Sequence, residues 1–463
     1  MRDFTQGPML RPLLTFALPI IGANFLQTFY NLVDTFWVGR LGEEALAAVG
    51  LGSVIYHVLL SLSWGFSASA TALVAQHFGA GHRRTLGRIS ANMIMLFIGF
   101  ASLVAALVYG IRMPLLRLLG APAALEADAA LYLAINLAAL PVAYTVTVLG
   151  AILRGVGDSV SPMKVVVLGN LINVVLDPIL IFGVGPLPAL GIAGAAWATV
   201  LSRLIAAAAG VMMLQRVSNP TRIGRGQWLL DLRLIGTALR IGSPAGMANL
   251  LNSLGGSLLL RLVTPFGTAA VAAHSVGVRL ESLAVMPAVA LGQAASNWVG
   301  QNLGAAQRER AFRGAHAVIA VAFITLGVLG GGAYAAAPHL VAAFAPGEWD
   351  VIAYGTVYLH ILAPGWSLFG TQIVISNTLR GAGDTVANLA LSSVNLFLFR
   401  YPAAYILSHV LGRGAPGVWW GILAGDFLIA AVAYGYFRSR RWMERAVVTA
   451  GEPGPGSRSG SDG

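Results

Sequence analysis

Long apolar stretches recur from one end of this 463-residue chain to the other, and they limit what it can fold into. We count twelve stretches of about 20 residues or more, the length of helix that crosses a hydrocarbon core of ~30 Å. They fall at residues 13 to 38, 45 to 76, 89 to 111, 127 to 152, 163 to 184, 191 to 214, 236 to 262, 268 to 300, 314 to 336, 351 to 379, 387 to 411 and 417 to 437. With 57% hydrophobic and 10% charged residues, the chain is predicted to be an all-α integral membrane protein with twelve transmembrane helices.

The net charge of +11 could indicate nucleic acid or an anionic surface, so its distribution along the chain has to be considered. Arginines gather in alternate connections and in the C-terminal tail: 83, 84, 88, 216, 222, 225, 233, 308, 310, 313, 438, 440, 441 and 445. The intervening loops carry Glu or Asp instead. This is the positive-inside pattern, which predicts a multi-pass protein of the cell's inner (plasma) membrane with both termini cytoplasmic. No nucleic-acid partner is needed to explain the charge.

The two halves of the chain repeat each other at an offset of about 225 residues. Pro19 aligns with Pro244, "VAQHFGAG" from Val74 with "VGQNLGAA" from Val299, and "LRGVGDSV" from Leu153 with "LRGAGDTV" from Leu379. The repeat predicts a domain order of cytoplasmic N-terminus, N-terminal lobe, cytoplasmic linker, C-terminal lobe and largely disordered cytoplasmic tail: 1–12, 13–214, 215–235, 236–437 and 438–463.

Each half holds six spans, an even number, so both halves enter the membrane in the same orientation. Two pseudo-symmetric six-helix bundles around a central cavity suit transport by alternating access. The connections are too short for a soluble catalytic domain, and no nucleophile or metal-ligand spacing stands out. The "LRGVGD" and "LRGAGD" glycines are interpreted as tight turns with positive φ. We therefore expect no enzyme activity, no cofactor and no metal other than a coupling Na⁺.

The first span carries a polar stripe in an otherwise apolar helix. At 100° per residue, Asn24, Gln27, Tyr30, Asn31 and Asp34 fall within an arc of about 120°. A charge in hydrocarbon costs at least ~2.5 kcal/mol, so this stripe is expected to face a cavity or another helix. The alternative is that Asp34, near the end of its span, reaches the lipid headgroups.

The fifth span carries "NLINVVLDPIL", in which Asn173 and Asp177 share a helix face. Pro178 has no N–H, so it frees the carbonyl of Val174 and is a candidate hinge. A carboxylate, an amide and a free carbonyl suit a small cation or a proton. The alternative is a proline kink with an aspartate satisfied by neighbouring helices.

The repeat provides a comparison for both acids. Asp34 aligns with Leu259 and Asp177 falls near Ala403, whereas Gln27 retains a polar counterpart in Asn252. A carboxylate that the fold required as structural glue would be expected in both halves. The one-sided distribution favours a functional cation site in the first half.

Three other polar residues inside predicted spans compete with these acids: Glu281, with Arg279 two residues away, Arg400 and Asp426. Intramembrane charges of opposite sign usually pair. Glu281, Arg400 and Asp426 are therefore interpreted as structural charge pairs within the second bundle, with substrate contact as the alternative.

The segments "NLVDTFWVGRLG", "LRGVGDSVSPMKVVVLGNLINVVLDPILIFG", "GIAGAAWATVLSR" and "VRLESLAVMPAVALGQAASNWVGQNLGA" together resemble the multidrug and toxic compound extrusion (MATE) transporters. They follow the family's order over nearly the whole chain. The resemblance implies two six-helix lobes and export of amphipathic, often cationic organic molecules in exchange for H⁺ or Na⁺. It is closer to the DinF-like branch than to the NorM-like branch, whose additional acids align here with Asn252 and with Phe369 or Gly370.

The resemblance also implies roles for individual residues. Those of the DinF-like cation and drug site match Gln27, Tyr30, Asp34, Asn173 and Asp177. Thr199 and Tyr132 are plausible additions to it, with Thr199 on the coupling-ion side. Pro19 matches a proline at which the first helix is proposed to bend.

These observations predict a secondary active antiporter, monomeric in the bilayer, with Asp34, Asp177, Asn173 and Thr199 as the coupling site. A flippase or exporter of a lipid-linked precursor or metabolite from the same superfamily is the nearest alternative, although extra helices and a strongly basic cavity are not evident. A channel fits the two-lobed repeat less well. The sequence names neither the substrate nor the coupling ion.

Overall fold

The fold is taken from a computed structural model that describes residues 2–185, 188–216 and 218–448. All regular structure within these ranges is helical. The α-helices are α1 Leu10–Gly39, α2 Glu43–Gly79, α3 Leu86–Leu118, α4 Ala123–Ala138, α5 Leu140–Gly155, α6 Val160–Phe182, α7 Gly191–Leu214, α8 Leu232–Val263, α9 Thr268–Gly304, α10 Arg308–Ala335, α11 Ala337–Phe344, α12 Trp349–Leu362, α13 Trp366–Ala382, α14 Thr385–Val394, α15 Tyr401–Tyr405 and α16 Gly414–Arg438. Two π-helical segments, Asn395–Arg400 and Ile406–Val410, flank α15.

The described chain confirms the all-helical membrane class, and nine or ten of the twelve predicted spans have the length and composition to cross a membrane. Nine of its helical segments are long and apolar enough to cross a membrane, and α4 with α5 makes a tenth as one bent span. The other two predicted spans correspond to α8, which has 32 residues but a more polar composition, and to the segment from Thr385 to Val410, and for these the spanning role stays a prediction.

The fourth span was predicted as one stretch, and in the structure it bends by 47° between α4 and α5. Pro141 lies in the first turn of α5. Because proline has no N–H and its ring excludes the carbonyl four residues earlier, the helical hydrogen bonding cannot continue through this point. The length of an apolar stretch alone does not predict such a break.

The chain divides into two compact units. The start of α1 belongs to the second unit, and the start of α8 belongs to the first unit. The first unit contains Leu18–Gly242, and the second contains Phe4–Ala17 together with the described residues from Ser243 onward. Both boundaries fall inside a helix and just before a proline, Pro19 in α1 and Pro244 in α8. The two prolines that the sequence repeat aligns therefore mark equivalent breaks.

The segment preceding Pro19 is anchored firmly in the second unit. The Phe4 side chain is fully buried, with its ring centroid 5.7 Å from that of Trp298. Its backbone N–H donates to Gln301 Oε1 at 2.9 Å, and its carbonyl accepts from Asn302 Nδ2 at 3.2 Å. These partners belong to the "VGQNLGAA" block.

Small residues let helices approach closely in the first unit, where α6 packs along α7. A Cβ at Gly194 would lie 2.3 Å from the carbonyl oxygen of Leu180, so no larger residue fits there. A Cβ at Gly52 would lie 2.9 Å from the Tyr132 ring, which brings α2 against α4. This packing sets the polar residues of α4, α6 and α7 close together.

The second unit uses a glycine stripe on α16. Added Cβ atoms at Gly417, Gly421 and Gly425 would lie 2.6 Å, 2.2 Å and 2.6 Å from Leu407, Ala404 and Arg400. Glycine at every fourth position leaves one face of a helix open to a neighbouring backbone. The irregular segment around α15 thus packs directly on α16 and holds Arg400 against it.

The two "LRG" motifs form the predicted turns. Gly157 has φ +80° and Gly383 has φ +90°, which confirms that these glycines supply positive φ. Asp158 then accepts from the N–H groups of Val160 and Ser161, and Asp384 accepts from that of Ala387. Both motifs therefore end one helix and cap the next.

Most of the predicted disordered tail, residues 449–463, lies outside the described residues. Just before it, Arg441–Arg445 form a 3₁₀ turn in which Trp442 is buried. The Trp442 Nε1–H donates to the carbonyl of Phe437 at 2.9 Å. The described start of the tail is therefore packed against the end of α16.

Candidate functional site

Two polar residues of α6, Asn173 and Asp177, form the buried centre of the predicted site. Their exposed fractions are 1% and 0%. With the Asn173 amide oriented toward the acid, its Nδ2 donates to Asp177 Oδ2 at 2.8 Å. Its Oδ1 accepts from the backbone N–H of Thr199 at 3.1 Å. The amide thus links the carboxylate on α6 to the backbone of α7.

The stripe of α1 contributes Tyr30 and Asp34 to the same place. The Tyr30 hydroxyl lies beside the Thr199 hydroxyl, and its phenol is within electrostatic range of both Asp34 and Asp177. Asp34 is itself within electrostatic range of Asp177. One turn further along α1, Val38 is buried in an apolar cluster with Tyr132, Ile181 and Ala195. That cluster fixes the end of α1 against the helices that carry the other site residues.

Two more tyrosines complete the first unit's site, and sequence analysis singled out only one of them. Tyr132 of α4 is buried, lies beside Ser53 and is within electrostatic range of Asp34. Tyr56 of α2 is also buried, one helical turn after Ser53. Tyr30 and Tyr132 are therefore both within electrostatic range of Asp34, and Tyr56 comes from a third helix of the same unit.

Arg203 of α7 is the functional candidate that sequence analysis missed. Its Nη1 donates to the Tyr56 hydroxyl, and its guanidinium lies 5.1 Å from the centre of the Tyr56 ring. It is within electrostatic range of Asp34, Tyr30 and Tyr132. The available signal was an arginine in the middle of the apolar run "GIAGAAWATVLSRLIAAAAG", one helical turn after Thr199.

The remaining residues of the predicted cavity and hinges are distributed over both units. Gln27 Nε2 donates to Asn31 Oδ1 at 3.3 Å on a more exposed part of α1. Asn252 belongs to the second unit, where its side chain is exposed on α8. Pro19 lies at a unit boundary, and Pro178 follows Asp177 inside α6, four residues before that helix ends.

The second unit contains its own charged cluster, around Glu281, Arg400 and Asp426. Arg400 and Asp426 form an ion pair in which Nε donates to Oδ1 at 2.6 Å. Glu281 is not ion-paired in the described chain, but its Oε2 accepts from the Tyr358 hydroxyl at 3.1 Å. The Arg400 guanidinium also lies 5.3 Å from the centre of the Phe369 ring. The structure thus pairs two of the three residues that the sequence grouped.

Chemically, the first unit's site combines hard oxygen atoms with aromatic faces and one cation. Carboxylate, amide and hydroxyl oxygens can hold a proton or a small hard cation. Phenol rings can stack on an aromatic substrate or on an organic cation. No group of three or more His, Cys, Asp or Glu that could hold a metal ion occurs among the described residues.

Comparison with known proteins identifies the family. The sequence model of the MatE family matches twice, over residues 19–179 and 244–406. The two matches begin at Pro19 and Pro244, so they follow the internal repeat and together cover most of the chain.

Curated relatives align along nearly the full length. A probable multidrug resistance protein YpnP from Bacillus subtilis is 28% identical over 96% of this chain and 99% of its own. A probable multidrug resistance protein NorM from Deinococcus radiodurans is 30% identical, over 95% and 97% respectively. An FAD transporter from Shewanella oneidensis is 29% identical, over 96% and 98%.

Solved structures agree with these relatives. An outward-facing multidrug resistance MATE family transporter of the MOP superfamily superimposes with a TM-score of 0.88 at 25% identity, covering 95% of this chain and 97% of that one. A MATE crystal structure in a bent conformation gives the same score at 25% identity, covering 94% and 96%. The chain therefore belongs to the MatE family of multidrug efflux transporters.

Proposed function

We propose that this protein is a secondary active antiporter that exports amphipathic, often cationic organic compounds in exchange for H⁺ or Na⁺ by alternating access. The observation that carries the proposal is the pair Asp34 and Asp177, two carboxylates within electrostatic range of each other in an apolar bundle. Two such charges favour the uptake of a proton or a small cation.

The exchange follows from competition for this site. With the site open outward, the coupling ion binds at Asp34 and Asp177, with the Asn173 amide and Thr199 hydroxyl as further ligands. Neutralising the acids weakens the attraction for a cationic drug, which leaves. The loaded protein turns inward, releases the ion to the cytoplasm and takes up new drug.

We assign the conformational changes of the bundles during this cycle to helix bending at Pro19 and Pro178. Pro19 lies at a unit boundary inside α1, and Pro178 follows Asp177 directly. Each interrupts a helical hydrogen bond, so each helix can bend there at lower cost than elsewhere. Protonation or ion binding at the neighbouring acids would bias that bend.

The decisive experiment is substrate movement in proteoliposomes with a pH gradient and a Na⁺ gradient imposed separately. The probe is a fluorescent lipophilic cation such as ethidium. We expect uphill movement with one gradient and its loss, to below about a tenth of the wild-type rate, in Asp34→Asn and Asp177→Asn. The control is Asp128→Asn, which makes the same change at an exposed acid near the start of α4.

Undiminished gradient-driven transport in both aspartate variants, with normal incorporation into vesicles, would remove the coupling assignment. Movement that only follows the probe's own gradient in the wild-type protein would indicate a channel. The inner-membrane location, cytoplasmic termini and monomeric state are part of the same proposal and rest on the arginine distribution and the two-lobed repeat.

A second candidate is export of an anionic metabolite. It is favoured by the relative from Shewanella oneidensis, which is named an FAD transporter and aligns as well as the proteins named for drug resistance. The same vesicles loaded with FAD test it directly. Gradient-driven movement of FAD but not of ethidium would indicate that the exported substrate is an anionic metabolite and not a cationic drug.

A further inference from the structure

The linker between α7 and α8 carries an exposed apolar patch that the proposed exchange does not use. Trp228, Leu229, Leu230 and Leu232 are 46%, 68%, 60% and 74% exposed, and we call these four residues the linker patch. They lie between two predicted spans, so the hydrocarbon core that covers the apolar faces of the spans does not account for them. Contiguous exposed apolar side chains of this kind mark an interaction surface.

The other side of the linker is packed onto α3. Gly87 of α3 leaves room for it, because a Cβ there would lie 2.1 Å from Gln227 Oε1 and 2.5 Å from the carbonyl oxygen of Arg222. Gln227 Oε1 also accepts from the backbone N–H of Gly224 at 2.9 Å, and Ile223 is buried. The linker is therefore an ordered segment with one buried side and one apolar exposed side.

Asn92, which is buried in α3, fixes the position of the linker patch along that helix. Its Nδ2 donates to the carbonyl of Leu229 at 3.1 Å, and its Oδ1 accepts from the backbone N–H of Asp231 at 2.7 Å. Asn92 lies about 9 Å along the helix axis from Leu86, the first residue of α3. The third predicted span begins at residue 89, so the linker patch lies beside the first turns of a span. This is the level at which lipid headgroups meet hydrocarbon.

Positive charge flanks the linker patch on both sides in the sequence. Arg222, Arg225 and Arg233 are exposed, and none of them forms an ion pair among the described residues. Asp231 is the only acid of the linker, and it pairs with Arg88 of α3 at 3.0 Å. Uncompensated arginines beside an exposed apolar surface match a membrane surface that contains anionic lipids.

We infer that the linker patch inserts into the membrane interface and that Arg222, Arg225 and Arg233 bind the headgroups of anionic phospholipids there. Tryptophan is enriched at this level of membrane proteins because its ring is amphipathic. A second copy of the chain is a poorer partner, since a symmetric pair would place these arginines against the same arginines. Lipid phosphates supply the opposite charge. The inference goes beyond the proposed exchange and does not depend on which compound is exported.

The test uses the absence of cysteine from the sequence, which allows one fluorophore to be placed at one chosen position. Leu230→Cys carries an NBD label, and the full-length protein is placed in nanodiscs of phosphatidylcholine and phosphatidylglycerol. A nitroxide near the headgroup end of an acyl chain quenches NBD on contact, and it is carried by either phosphatidylglycerol or phosphatidylcholine. The control position is Ala306→Cys, in the exposed turn between α9 and α10.

Two results are expected from these labelled proteins. The label at position 230 should be quenched at least about threefold more than the label at position 306, because the linker patch lies at the interface. The nitroxide on phosphatidylglycerol should quench the label at 230 at least about twofold more than the nitroxide on phosphatidylcholine, because the arginines concentrate anionic lipid beside it.

Two triple variants in the Leu230→Cys background separate local from overall charge. The first replaces the arginines that flank the linker patch: Arg222→Gln, Arg225→Gln and Arg233→Gln. The ratio between the two nitroxide lipids should fall to about one, while the label stays quenched because the apolar side chains remain. The matched control removes the same charge at exposed arginines outside the linker: Arg308→Gln, Arg438→Gln and Arg441→Gln. It should keep the original ratio.

Quenching at position 230 no stronger than at position 306 would overturn the insertion and show that the linker patch faces water. Equal quenching by the two nitroxide lipids, or an unchanged ratio in the first triple variant, would overturn the contact with anionic lipid. Quenching that is lost with two copies per nanodisc and restored with one would make the linker patch an interface between copies. The first comparisons need no arginine variant, so misfolding of a triple variant cannot hide the answer. Transport is not measured, so failure of coupled efflux would leave this inference intact.

Discussion

Each unit contains a cluster of two acids and one arginine within its helices, but the two clusters pair their charges in opposite ways. In the second unit Arg400 forms an ion pair with Asp426, with 2.6 Å between Nε and Oδ1. In the first unit Arg203 is held by a tyrosine hydroxyl and ring, and Asp177 by the amide of Asn173. Charges that pair with each other are neutralised within the bundle, whereas charges held by neutral groups stay available to ions and ligands.

The difference follows from local packing. Arg400 lies at the end of a π-helical segment pressed onto the glycine face of α16, and Asp426 follows Gly425 directly on that helix. Because the two helix backbones approach closely at this point, the side chains of Arg400 and Asp426 come into contact. In the first unit Asp34 and Arg203 come from α1 and α7, and the phenols of Tyr30 and Tyr132 share the space around the guanidinium.

The largest expected effect is on folding and comes from breaking the pair in the second unit. Asp426→Asn leaves the Arg400 charge buried without its partner, which should cost about 3 to 5 kcal/mol of unfolding free energy. Asp34→Asn leaves no broken ion pair and should cost much less. Thermal or denaturant unfolding of both variants in the same detergent measures the difference. Equal destabilisation by the two substitutions would contradict the comparison.

An intermediate effect is expected where a neutral group holds the acid. Asn173→Leu removes the amide that donates to Asp177 and leaves that carboxylate buried without this donor, at about 1 to 3 kcal/mol. Asn170→Leu, on the same helix, is the matched control because the Asn170 Nδ2 is buried without a hydrogen-bond partner. It should be neutral or stabilising in the same unfolding assay. The reverse order would show that Asn173 does not hold the acid.

A smaller effect is expected at Glu281, the acid of the second unit's charged cluster that forms no ion pair in the described chain. Glu281→Gln keeps an oxygen that can accept from the Tyr358 hydroxyl, so stability should change by less than about 1 kcal/mol. Proteoliposome efflux should also stay within about twofold of wild type, since the proposed coupling uses the first unit. Loss of gradient-driven transport in Glu281→Gln would place a second coupling group in the second unit.

Sequence reasoning recovered the spans and the buried acids because their signals are local. A run of about 20 apolar residues predicts a span wherever it occurs. Asp34 and Asp177 stand out because charge is rare in such runs and because the aligned second half lacks both. The four-residue spacing of Asn173 and Asp177 placed them on one face of a helix, and the structure joins them by a hydrogen bond.

What sequence reasoning missed depends on contacts between helices. Nothing near Arg203 in the chain reveals that a tyrosine from α2 supports it, since Tyr56 precedes it by 147 positions. Likewise, the sequence grouped Glu281, Arg400 and Asp426 but did not indicate which of the two acids forms the ion pair with the arginine. That choice follows from the approach of Arg400 to Gly425 on α16, which depends on how the helices pack.

The smallest expected effect is at the exposed end of the α1 stripe, where Gln27 and Asn31 contact each other. Their hydrogen bond is long, 3.3 Å, and exposed, so it competes with water or with headgroups. Gln27→Ala, Asn31→Ala and the double variant should each change stability by less than about 0.5 kcal/mol, with no measurable coupling in the double-mutant cycle. Drug binding should weaken by no more than about threefold, because Tyr30 and Asp34 remain. A coupling energy above about 1 kcal/mol would instead show that Gln27 and Asn31 belong to the buried site, which would then include the whole stripe of α1.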